Sequence, residues 1–208
     1  MPLVRSSRPS TSCALTRLPE RYMSRLDDLA PEVDADEGAW HQQRAFKLAR
    51  ELARACLKRH KATGPPLNLD ELVEAEGLRL LQVEEDTNTA GALYHKTREI
   101  VVNRQGRHLV RQRFTIAHEL GHWVHAHYKR GPLDFDLDGF DGRFGDEIVS
   151  HFGKDPREQE ANVFAAELLV PKLWLQAHRS RQTPDSLAEL FIVSRETMYY
   201  QMMEYRLL

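Results

Sequence analysis

Four histidines, His118, His122, His125 and His127, fall within ten residues of one another. The first two flank an acid in His118-Glu119-Leu120-Gly121-His122, an H-E-x-x-H arrangement. On a helix turning about 100° per residue, the two imidazoles lie about 40° and one turn apart, so both can reach one metal ion while Glu119 projects beside them. Zinc held there lowers the pKa of water toward ~7, and the glutamate can accept the proton as water attacks a carbonyl. That chemistry is peptide hydrolysis. A solvated His/Glu helix face is the plainer alternative, but Ile116, Ala117, Leu120, Gly121 and Val124 form an adjoining apolar arc that puts the histidines at the edge of a core. Gly121 weakens the helix, which the close approach of a neighbouring backbone would explain.

The type of a third ligand separates the enzyme classes. A site extended by Gly and a further His would need glycine at 125 and histidine at 128, where the chain has His125 and Tyr128; a His-x3-His-x5-His site fails at the same Tyr128. A deformylase-like thiolate is not provided by Cys13 or Cys56. A distant glutamate remains, and Glu158, Glu160 and Glu167 follow on a later helix. Asp155-Pro156-Arg157-Glu158 reads as N-cap to N3, which gives Glu158 a capping-box role. Glu160 is freer, on the flank of an apolar face made by Ala161, Phe164, Ala165 and Leu168. Helical phase does not exclude Glu158, which lies on the opposite flank.

The elements that must carry these groups are legible from periodicity. Ala45, Leu48, Ala49, Leu52, Ala53, Cys56 and Leu57 predict a helix beginning near Trp40 and stopping at Gly64-Pro65-Pro66. A second helix is expected over 69–76, with Asn68 as N-cap and Gly77 at its C-terminal end. Short strands are expected at 78–83, 91–95 and 99–103, forming a small antiparallel sheet with a turn around Lys96-Thr97-Arg98. The motif helix is expected over 114–126, then a Gly- and Asp-rich loop over 131–145, then the glutamate helix over 156–169, closed by Val170-Pro171. Thr183-Pro184 and Ser194 start two short C-terminal helices.

Composition narrows the class. The 208 residues are 41% hydrophobic and 29% charged with a formal net charge of −2, which excludes a collagen-like or wholly disordered chain and gives no global field for nucleic acid or anionic membrane. No apolar run approaches the ~20 residues of a spanning helix. Two cysteines cannot build a dense disulfide framework. Residues 1–38, with several prolines and no apolar core of a secretory signal, read as a flexible leader. The expected organisation is this leader, a metallopeptidase domain over 39–180, and a helical segment over 181–208 packed on it.

The chain resembles the ImmA/IrrE metallopeptidases. The resemblance rests on Ile100-Val101-Val102-Asn103, on Arg111-Gln112-Arg113-Phe114-Thr115-Ile116-Ala117-His118-Glu119-Leu120-Gly121-His122, and on Glu158-Gln159-Glu160-Ala161-Asn162-Val163-Phe164-Ala165-Ala166-Glu167-Leu168-Leu169-Val170-Pro171. It covers about Trp40 to the C-terminus. It implies an α+β, zincin-like fold of gluzincin type, zinc (Zn2+) held by His118, His122 and Glu160, and Glu119 as general base. It further implies a cytoplasmic regulator whose protein substrate is a helix-turn-helix repressor, cleaved to derepress mobile-element or stress genes. Members often carry Met where Val170 stands.

Other signals are weaker. Asp134, Asp136, Asp138 and Gly139 resemble the start of a calcium loop, but its twelfth position falls on Gly145 instead of a glutamate. Residues 187–198 resemble a helix-turn-helix, yet Arg195 beside Glu196 is too little positive charge for a phosphate footprint, so direct nucleic-acid binding is not expected. Tyr94, His125, Tyr128 and His151 are candidate oxyanion donors. An exposed sheet edge at 89–94 could hold a substrate strand. The rival function is a zinc-containing, non-catalytic interaction module that controls a transcription factor by binding it.

Overall fold

The computed structural model describes residues 37–130, 155–180 and 182–208. The readings made above for the leader, for the acidic loop with its calcium-like start, and for His151 fall outside these residues, as does the Tyr128 side chain. In chain order the elements are α1 (Glu37–Arg59), α2 (Leu69–Ala75), β1 (Arg79–Val83), β2 (Gly91–Tyr94), β3 (Glu99–Asn103), α3 (Leu109–Arg130), α4 (Pro156–Leu169), α5 (Lys172–His178), α6 (Pro184–Phe191) and α7 (Arg195–Glu204). The class is α+β. Among the described residues no helix is long and apolar enough to cross a membrane.

Local chemistry sets most of the boundaries. Asn68 Oδ1 accepts the amide of Glu71 at the start of α2, Thr183 and Ser194 cap α6 and α7, and Asp155 accepts the amide of Arg157 ahead of Pro156 in α4. Gly77, at φ +79°, ends α2 in the left-handed region, with its amide on Glu74 O and that of Leu78 on Val73 O. Helix α1 ends earlier than its proline stop implies. Lys61 takes φ +53°, and the amide of Ala62 returns to Leu57 O.

The sheet corrects the antiparallel expectation. Its order is β1-β3-β2, with β3 antiparallel to β2 but parallel to β1. Ile100 and Val102 of the central strand are fully buried, and the turn at 95–98 joins β2 to β3 as expected. Strand length and alternation carry no sign of direction, so the parallel pairing was illegible. Strand β2 lies at one edge, in keeping with the proposed edge at 89–94.

Helix α4 is buried nearly all round rather than along one stripe, with Phe164, Ala165 and Leu168 completely inaccessible. On one side it meets α3 at Gly121, where an added Cβ would stand 3.1 Å from Phe164 Cδ1 and 3.3 Å from Ala161 Cα. The close approach inferred from the glycine is therefore present. On another side the Gln201 amide group of α7 donates to Val170 O at 3.0 Å, fastening the C-terminal helices to the end of α4. Gly121→Ala is expected to destabilise the protein by ~1–2 kcal/mol. The gain in helix propensity is about 1 kcal/mol, but the crowding is against backbone and a fully buried ring that cannot retreat. A lowered urea midpoint checks it; a raised midpoint would mean that α4 yields.

Candidate metal centre

Helix α3 places His118 and His122 one turn apart on the face that meets α4, with His118 4% and Glu119 1% exposed. Their rings meet edge to face, centroids 4.7 Å apart, and the two Nε2 atoms are 3.0 Å apart. Glu158 closes the group from α4, with Oε2 3.0 Å from His118 Nε2 and Oε1 3.2 Å from His122 Nε2. The other ring nitrogen of His118, Nδ1, lies 2.9 Å from Asn162 Oδ1. Because Glu158 and Asn162 are four residues apart, one face of α4 supplies both the carboxylate and the amide that orients the imidazole.

The carboxylate that meets the two imidazoles is Glu158, where the sequence pointed to Glu160. Asp155 caps α4 alone, through the amide of Arg157, which leaves the Glu158 side chain to reach across to α3. Glu160 sits on the other flank, 7% exposed, with Oε2 3.3 Å from His125 Nδ1; His125 in turn lies edge-on to Phe164. Glu167, the last of the three candidate glutamates, is fully buried elsewhere. It accepts from Arg54 Nε at 2.7 Å and from the Tyr205 hydroxyl, tying α1, α4 and the C-terminus together.

The electrostatics fit a cation. Burial works to raise the Glu158 pKa, yet the two imidazoles outweigh it and hold the carboxyl well below its ordinary range. For His118, burial lowers the pKa, but the contact with Glu158 and the charges of Glu119 and Glu158 raise it on balance. His122 is lowered, chiefly by burial. With its Nδ1–H on Asn162 Oδ1, His118 turns its Nε2 lone pair toward the Glu158 carboxylate and His122 Nε2, and a positive charge between them relieves that opposition. A proton can supply it on His118. So can a metal ion, and two imidazoles with a carboxylate whose donor atoms all lie within 4.8 Å suit zinc.

Two positions escaped the sequence reading. Gly91 opens edge strand β2 against α3; an added Cβ would meet Thr115 Cγ2 at 2.4 Å and stand 3.8 Å from Glu119 Cγ. The small-residue run Ala90-Gly91-Ala92 was the available signal of close backbone approach. The buried Asn103 accepts from the amides of Glu85 and Gln105 and donates to Glu85 O and Thr89 O, fixing the segment that leads into β2. Nothing local distinguishes it from a polar strand end. Of the suggested oxyanion donors, Tyr94 is 44% exposed at the end of β2 and His125 is engaged with Glu160.

Residues 73–203, more than half of the chain, match a family model described as Peptidase M78, IrrE N-terminal-like domain. No curated protein matches the sequence. Among solved structures, a Mycobacterium tuberculosis transcriptional regulator is similar at a TM-score of 0.50 and 19% identity, over 76% of this chain and 51% of that one. The chain therefore spans about half the length of that structure, and the likeness is one of fold.

Proposed function

Since the chain belongs to the M78 peptidase family of IrrE N-terminal-like domains, we propose that it is a zinc-dependent endopeptidase of gluzincin type acting on a partner protein. His118, His122 and Glu158 would hold the metal. The observation that carries this reading is the convergence of those three donors beside the buried carboxylate of Glu119. When bound, zinc would supply Lewis acidity and lower the pKa of water.

The chain's own residues do the rest. Asn162 fixes the His118 ring, and Gly91 lets edge strand β2 run close over Glu119. A substrate segment pairing with β2 would bring its backbone toward that carboxylate. Glu119 accepts a proton from the attacking water and returns it to the departing amide nitrogen. The substrate we favour is a helix-turn-helix repressor, cut to release the genes it silences; the fold shared with a transcriptional regulator fits that setting.

Incubating the zinc-loaded chain with candidate helix-turn-helix repressors, chosen from the neighbourhood of its gene, tests the reading. Discrete, chelator-sensitive cuts are expected, and His118→Ala and His122→Ala should each lose one equivalent of metal along with cleavage. Tight binding without any cut would favour the rival reading of a zinc-containing interaction module, and full metal content in both variants would end the ligand assignment.

A further inference from the structure

A second group of side chains, from α1 and the end of α2, has no part in the centre described above. His60 follows the last residue of α1, four positions on from Cys56, and its amide still returns to Cys56 O, so the two side chains share a face. Glu76 caps the C-terminus of α2 and is only 6% exposed. A buried carboxylate at the negative end of a helix is doubly unfavourable unless positive charge meets it. Arg59 Nη1 lies 2.8 Å and His60 Nε2 2.6 Å from Glu76 Oε1. The thiol converges on the same oxygen: Cys56 is completely buried and its Sγ donates to Glu76 Oε1 at 3.5 Å.

We propose that Cys56, His60 and Glu76 form a second metal site, for zinc, which joins the last turn of α1 to the end of α2. Their donor atoms all lie within 4.8 Å of one another, and one thiolate, one imidazole and one carboxylate make a donor set suited to a borderline-soft cation. Tetrahedral bonds of ordinary length place sulfur and oxygen ligands about 3.6 Å apart and nitrogen and oxygen ligands about 3.4 Å apart. The sulfur–oxygen spacing already fits, and the imidazole needs to withdraw by less than an ångström. Arg59 is 38% exposed at its side chain and can shift to Glu76 Oε2 while the cation takes Oε1. Without metal, burial and then the charge of Glu76 push the Cys56 thiol well up, so it stays protonated. Binding breaks the S–H bond, forms the sulfur–metal bond and releases that proton to solvent.

Cobalt(II), as a spectroscopic stand-in for zinc, tests the site on the full chain. The centre at His118, His122 and Glu158 contains no sulfur, so a thiolate-to-cobalt charge-transfer band reports the second site alone. The band is expected to appear on titration, to survive His118→Ala and Cys13→Ser, and to vanish in Cys56→Ser. His60→Ala, which alters a partly exposed side chain, should weaken cobalt binding at this site at least ~10-fold, since even the loss of an outer-sphere partner reaches that scale. Saturation with cobalt without the band, its persistence in Cys56→Ser, or its loss in Cys13→Ser would overturn the proposal. If Cys56→Ser does not fold, unchanged affinity in His60→Ala would overturn it equally.

Discussion

Glu158→Gln is expected to lower zinc affinity at the His118/His122 centre by more than ~100-fold, whereas Glu160→Gln should stay below a ~10-fold loss. Removal of an outer-sphere partner already costs 10–100-fold, and Glu158 would contact the metal directly. Both of its oxygens face imidazole nitrogens, at 3.0 and 3.2 Å. A neutral amide there offers a poor ligand and leaves the site short of one negative charge. Glu160 meets His125, with Oε2 3.3 Å from its Nδ1. Its replacement perturbs the buried contact with His125, which lies three residues along α3 from His122. Chelator competition on the equivalent of metal that His118→Ala loses gives the ranking directly. The reverse order would return the third ligand to Glu160.

Glu119→Gln should retain zinc and the fold yet slow cleavage by ~10²–10⁴-fold, the range that a positioned proton acceptor contributes. The amide has nearly the same shape, so the packing over Gly91 is kept, and only basicity is removed. Melting temperature is not expected to fall, because a 1%-exposed carboxylate becomes a neutral group. The measurement is turnover of the repressor at matched metal content. Cleavage at the parental rate would exclude Glu119 as the general base and require another acceptor.

Much of the site's surroundings could be read from local sequence because local rules act over a few residues. H-E-x-x-H spacing puts His118 and His122 one turn apart on any helix, whatever that helix packs against. The caps at Asn68, Asp155, Thr183 and Ser194 depend on a side chain reaching an amide two or three positions on, and each is present. The apolar arc around Gly121 likewise implied a close neighbour, although not which residues would fill the space.

What tertiary structure alone decided is how one element is rotated and offset against another. Periodicity fixes the phase of α4 within itself and leaves both flanks, Glu158 and Glu160, equally able to face α3. Contact of Gly121 with Ala161 and Phe164 selects the rotation that sends Glu158 to the histidines and Glu160 to His125. The parallel pairing of β1 with β3, the burial of Glu167 against Arg54 and Tyr205, and the meeting of Cys56 and His60 with Glu76 arise in the same way. Each joins groups far apart in the chain, where no spacing rule operates and only the packing of whole elements brings charges and donors into range.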